Sequence, residues 1–160
     1  MPTTYEPIAT TTLGSAAASV SFTSISGSYT DLVVVNFTIS GNGSASLTVN
    51  GDTGSNYSRT FMYGDGSSAA SGRSSNASSF TYTVGGTTNV YSATILNLMN
   101  YSNSTTYKTF LLRGNDPSGA TAAHIGLWRN TAAITSLTIT CASGNFPTGS
   151  TFTLYGIKAA

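Results

Sequence analysis

The chain holds one histidine, one cysteine and five carboxylates, and their spacing decides what chemistry it could perform. His124 lies in Thr121-Ala-Ala-His-Ile-Gly-Leu-Trp128. A hydrolytic triad would need a nucleophile on a strained turn and an acid to orient this imidazole. No Gly-x-Ser-x-Gly elbow occurs, and Cys141 has no electropositive neighbour in sequence, so His124 reads as a strand or interface residue. Glycoside hydrolysis needs two carboxylates flanking one bond. Of Glu6, Asp31, Asp52, Asp65 and Asp116, only Asp52 and Asp65 could approach each other. Both stand beside glycine in turn-like contexts, where Asp caps its own backbone. Asn50-Gly-Asp-Thr-Gly-Ser-Asn56 sets side-chain oxygens at alternating positions, as a calcium loop does. The EF-hand order is missing, and one carboxylate is a poor charge match for a divalent ion, so a hydrogen-bonded turn is expected. Phosphate-cradling glycine loops and metal-spaced Cys or His pairs are absent. The residues therefore predict a protein that is not an enzyme and takes no cofactor or metal.

Aromatic side chains are the remaining candidates. Tyr57, Tyr63, Tyr101, Tyr107, Trp128 and Tyr155 could stack sugar rings, with Ser- and Asn-rich loops bonding hydroxyls. The competing reading is that strand aromatics form core or subunit interface, because large rings anchor both. The residues singled out as interface or ligand contacts are Tyr5, Tyr57, Tyr63, Arg73, Tyr101 and Trp128.

The elements that must position these residues are strands. Half of the chain is Ser, Thr, Gly and Asn and only 7% is charged, yet aromatics make up 11%. A disordered stalk of that polarity would lack regularly spaced aromatic and β-branched residues. Here they alternate, as in Asp31-Leu-Val-Val-Val-Asn-Phe-Thr-Ile39. Period-two stretches bounded by Gly, Asn, Asp and Ser predict strands near 8–13, 17–25, 31–39, 44–50, 57–63, 78–84, 90–99, 106–113, 121–128, 134–141 and 151–157. The inward sets are read as Val33, Val35, Phe37 and Ile39; Phe80, Tyr82 and Val84; and Leu137, Ile139 and Cys141. Asn36, Thr38, Thr81, Thr83, Thr138 and Thr140 are then outward. Gly41-Asn-Gly43 and Gly85-Gly-Thr-Thr88 read as hairpin turns. The segment 64–76 reads as a long polar loop, mobile or ordered by a neighbour.

At 160 residues the chain fits one domain. The expected architecture is all-β, an antiparallel two-sheet sandwich of jelly-roll type over residues 8–160, with residues 1–7 as an extended N-terminal arm. A closed barrel or an immunoglobulin-like sandwich are the alternatives; the Cys…Trp…Cys spacing of true immunoglobulin domains is absent. A net charge of +1 from scattered residues gives no footprint for nucleic acid or anionic membrane. A single cysteine excludes an intrachain disulfide, and Cys141 reads as a small buried hydrophobe. No window approaches 18 apolar residues, and the start carries neither a basic nor an apolar leader region. The expectation is synthesis in a host cytoplasm without a signal peptide.

Five blocks together resemble a family of small structural proteins encoded by marine tailed bacteriophages. They are Tyr5-Glu-Pro-Ile-Ala-Thr-Thr-Thr-Leu-Gly-Ser15, Tyr29-Thr-Asp-Leu-Val-Val-Val35, Asn50-Gly-Asp-Thr-Gly-Ser-Asn-Tyr57, Leu127-Trp-Arg-Asn-Thr-Ala-Ala-Ile-Thr-Ser-Leu137 and Gly149-Ser-Thr-Phe-Thr-Leu-Tyr-Gly-Ile157. They run from one end of the sequence to the other, which suggests likeness to a complete protein. The resemblance implies a virion component on the outer surface and carries no catalytic motif. Its implied role is a capsid decoration or cement protein, a homo-oligomer with a trimer preferred, held to the major capsid protein or other virion proteins. The alternative is a tail-fibre tip or receptor-binding module that recognises host-surface glycans through 64–76 and exposed tyrosines. No heptad stretch for fibre attachment occurs, which favours decoration.

Overall fold

The computed structural model describes residues 4–39, 43–85, 90–116 and 119–158. Among them the chain forms twelve strands and no helix: β1 (Tyr5–Thr12), β2 (Ser19–Phe22), β3 (Asp31–Ile39), β4 (Gly43–Val49), β5 (Tyr57–Gly64), β6 (Ala69–Ala77), β7 (Phe80–Gly85), β8 (Tyr91–Met99), β9 (Lys108–Asp116), β10 (Ala120–Trp128), β11 (Leu137–Cys141) and β12 (Thr151–Ile157). They make two antiparallel sheets, ordered β1-β12-β3-β8-β9-β10-β5-β6 and β2-β11-β4-β7. The strands β1-β12-β3-β8 of one sheet and β2-β11-β4-β7 of the other reproduce the two four-stranded layers of a jelly roll. The hairpins β9–β10 and β5–β6 then widen only the first sheet.

Alternation explains the four-stranded sheet completely. Val20, Phe22, Ala45, Leu47, Val49, Phe80, Tyr82, Leu137, Ile139 and Cys141 are buried on its inner face. Among the described residues the opposite parity carries Ser19, Ser21, Ser44, Ser46, Thr48, Thr81, Thr83, Thr138 and Thr140, a hydroxyl outer face. β-branched Thr suits the pleat while its hydroxyl stays hydrated or bonds across strands, as Ser21 Oγ and Thr138 Oγ1 do at 2.9 Å. The inner face meets Leu32, Val34, Leu96, Leu98, Phe110, Leu112, Phe152 and Leu154 of the larger sheet. Ring pairs Phe80–Phe110 at 5.4 Å and Phe146–Phe152 at 5.0 Å lie within this shared core.

Three sequence expectations are corrected. β3 has the opposite phase: Leu32, Val34, Asn36 and Thr38 face inward, while Phe37 is 49% exposed. Because Leu32 to Val35 are apolar at both parities, period two alone cannot choose the inner face. The segment 64–76 is not a loop; its larger part is β6, paired to β5 through Phe61↔Gly72 and Met62↔Ser71. The arm boundary also moves, since Tyr5, Glu6 and Pro7 pair with Ile157, Gly156 and Tyr155 inside β1. A register shift between Pro7 and Ala9 accommodates the proline. Turn residues 41–42 and 86–88 lie outside the described residues.

Candidate functional site

The described residues that could do chemistry are dispersed, and Glu6, Asp31, Asp52 and Asp65 are already hydrogen-bonded. His124 sits on the inner face of β10, stacked at 5.5 Å on Phe61 and edge-on to Phe80 at 6.4 Å. Neither ring nitrogen has a hydrogen-bond partner. Burial, reinforced by the Arg59 guanidinium, pushes its pKa down to about 4, so the ring is neutral at pH 7. Buried between the Phe61 and Phe80 rings, His124 is packed as part of the core.

Asp52 closes the connection that carries the chain from β4 to β5, from one sheet to the other. Its carboxylate accepts from Gly54 N at 2.8 Å, Asn56 Nδ2 at 2.8 Å and Trp128 Nε1 at 2.6 Å. Those bonds from Asn56 and Trp128 hold its pKa below the usual carboxylate value. The buried Tyr57 hydroxyl donates to Asp52 O and accepts from Val49 N, both at 3.0 Å. Asn50, at φ 53°, and Gly51, at φ 66°, supply the left-handed backbone that starts this turn. The arrangement is a self-satisfied crossover. Among the described residues no group of three His, Cys, Asp or Glu side chains is disposed to hold a metal. Asp65 likewise caps its own turn through the backbone and hydroxyl groups of Ser67 and Ser68, and Glu6 pairs with Lys158 at 2.8 Å.

The six expected contact residues divide. Tyr57, Tyr101 and Trp128 are buried in the core, so they form no surface platform. Trp128 stacks on Tyr57 at 6.5 Å, and Tyr101 donates its hydroxyl to Ser26 O. Tyr5, Tyr63 and Arg73 are exposed, as is Tyr107. Tyr155 is half-buried and meets Tyr5 edge-on at 6.4 Å. Of these aromatics Tyr5 and Tyr155 lie on β1 and β12, Tyr63 on β5 and Tyr107 just before β9.

The feature that sequence reasoning missed is the outer face of that sheet. Strand pairing lays it out in rows: Tyr155, Val33, Asn97, Leu111, Ile125 and Thr60 form one. Thr153, Val35, Ile95, Arg113, Ala123 and Met62 form the next. Phe37, Met62, Tyr91, Met99, Leu111 and Ile125 are exposed on this side. The only sequence signal for it was the apolar residue at both parities of β3, read as core. Toward β5 and β6 the face is hollowed into a groove of about 970 Å³, with Met62, Ala93, Ile95, Arg113 and Ala123 among its lining. The wall is mostly small and apolar, with Arg113 as its single charged side chain. No helix among the described residues is long and apolar enough to cross a membrane.

No protein-family model matches the chain, and no curated protein matches it. Solved structures similar to it include an exo-inulinase from Aspergillus awamori, 12% identical with a TM-score of 0.45. That likeness covers 96% of this chain and 29% of the inulinase. A tail fiber protein from an E. coli phage is 19% identical with a TM-score of 0.30, over 82% of this chain and 16% of that one. The chain thus spans less than a third of either protein. Likeness at this level carries no argument about function.

Proposed function

We propose that the chain is a structural component of a tailed-phage virion, a decoration protein that binds the outer head shell and stabilises it. The observation that carries this reading is the division of the sandwich's two outer faces. One is a hydroxyl surface suited to water, and the other presents large apolar side chains that the fold itself leaves uncovered. Monomeric proteins rarely leave so contiguous an apolar surface in water, whereas a protein that works in an assembly covers it with further copies or with its neighbours. Self-saturated carboxylates and a partnerless histidine agree with a role that is contact rather than catalysis. The setting is taken from the resemblance of the five sequence blocks to phage structural proteins. In this reading the chain self-associates, in a number of copies for which the sequence alone suggested three, and the assembled copies meet the major capsid protein or other virion proteins.

Electron cryomicroscopy of the particle that contains the chain tests the proposal. Hundreds of copies on the icosahedral shell are the expected result. A handful of copies at the tail or fibre ends overturns it and makes glycan binding near Tyr63 and Arg73, on the β5–β6 hairpin, the next experiment.

A further inference from the structure

We propose that the outer face of the eight-stranded sheet docks a second copy of this chain about a two-fold axis that passes beside Asn97. Three observations on that face lead to this occupant.

The first is extent. Six strands from β12 to β5, at about 4.8 Å spacing and four outward rows deep, present roughly 780 Å². An axis beside Asn97, a little off the centre of this area, brings most of it against the partner, a contact somewhat smaller than the about 800 Å² per partner of a standard interface. The second is composition. Exposed Leu111 and Ile125 and half-buried Val35 and Ile95 occupy the middle of the face, with exposed Met99 at its margin. The net charge of +1 offers almost no repulsion between copies.

The third is the placement of charge. By parity these six strands turn only two charged residues outward, Asp31 on β3 and Arg113 on β9. Asp31 stands beside Ile157 and next to the row of Met99, and its Oδ1 accepts from Asn100 N at 2.6 Å. Arg113 is paired to Ile95, two strands across and four residues along. The two charges are therefore roughly 17 Å apart on a diagonal, with Asn97 near its midpoint. A two-fold axis lying in the face, perpendicular to that diagonal at its midpoint, sets each Arg113 over the partner's Asp31. The same operation sets Asn97 against itself, and a carboxamide, with one donor and one acceptor group, is self-complementary across a two-fold. Like charges never meet. The contact is isologous and closes at two copies.

This goes beyond the virion reading and does not need it. A dimer without a virion location leaves the inference standing, and a virion-located monomer sinks it alone.

Sedimentation equilibrium of the whole chain at micromolar concentration is the test. The expected mass is twice that of the chain; a monomer or a trimer overturns the proposal. Arg113→Asp leaves two carboxylates facing two, and Asp31→Arg leaves two guanidiniums facing two. Each variant alone should dissociate on the order of 100-fold more readily, with the effect reduced by salt. Mixed one to one, they should recover a heterodimer of wild-type affinity, because each offers the charges that the other lacks. Should Asp31→Arg fail to fold for want of its bond to Asn100, Asn97→Arg at the axis replaces it. That variant places two like charges on each other and should be monomeric with an unchanged circular dichroism spectrum. Undiminished dimerisation by Arg113→Asp or Asn97→Arg, or no recovery on mixing folded single variants, refutes the geometry.

Discussion

Gly126 is the position where one methyl group tests the packing of the two sheets. It lies on the inner face of β10, paired with Phe110 on one side and Arg59 on the other. A Cβ placed there would stand 2.4 Å from Cδ2 and Cε2 of Phe80 and 3.2 Å from Cδ2 of Phe110. Ordinary carbon contacts are about 3.5–4.0 Å, so the Phe80 ring must retreat by roughly 1 Å. It has little room to do so. The ring is 1% exposed and held by Tyr82 at 5.9 Å, Phe110 at 5.4 Å and His124 at 6.4 Å. Overpacking of this kind costs about 1–3 kcal/mol, and the rigidity of the cluster places Gly126→Ala near the upper end, at about 2.5 kcal/mol. Phe80→Leu alone removes ring contacts and costs about 1.5 kcal/mol. In the double variant the smaller side chain vacates the space that the added methyl group would take, so the two losses should fall short of additivity by at least about 1 kcal/mol. Urea denaturation of the four proteins at neutral pH closes the cycle. A Gly126→Ala stability within about 0.5 kcal/mol of wild type, or strict additivity in the double variant, refutes the claim that β7 and β10 meet through this glycine.

Four further outcomes are expected. Asp52→Ala orphans the buried Trp128 indole N–H together with Gly54 N and should cost about 2–4 kcal/mol, with Asp52→Asn intermediate. Millimolar calcium should leave the wild-type melting temperature unchanged, and a calcium-dependent rise would show that the 50–56 turn is a metal loop after all. Tyr57→Phe strands Val49 N inside the core and should lower stability by about 1–2 kcal/mol in the same denaturation assay, whereas a neutral change would mean that this amide finds water. The His124 imidazole has a folded pKa lowered to about 4, against about 6.5 unfolded. The unfolded chain therefore binds the proton first, and stability falls as pH drops from about 6.5 toward 4, by at most about 1.4 kcal/mol per pH unit. His124→Leu should flatten the urea midpoint over that window, and an unchanged slope in the variant would assign the titration elsewhere.

How much could be read in the chain depended on whether one strand carried its own signal. In β11 and β7 the alternation of Leu137, Ile139 and Cys141 with threonine, and of Phe80 and Tyr82 with threonine, admits one phase, and the structure adopts it. β6 was illegible because Ala69-Ala-Ser-Gly-Arg-Ser-Ser-Asn-Ala77 has no periodicity and no β-branched residue. Its extended state comes from pairing along the edge of β5, with Gly72 leaving room for the Phe61 ring, whose atoms a Cβ there would meet at 2.7 Å. The candidate face was hidden for a related reason. Hydrophobicity ranks Phe37 above Asn36, yet Asn36 is the residue that turns inward, opposite Thr94 on β8.

By itself, then, the sequence determined the all-β class, the position of eleven of the strands, the burial of Cys141 and the small number of reactive side chains. Those follow from local alternation and from a residue inventory that neighbours in space cannot enlarge. Only the tertiary structure decided which parity of β3 faces the core, that Tyr57, Tyr101 and Trp128 are interior, and that a broad apolar face remains uncovered. These depend on which strands become neighbours. When a strand is apolar at both parities, the register of its partners sets the inner side, and that register is a property of the sheet and not of the strand.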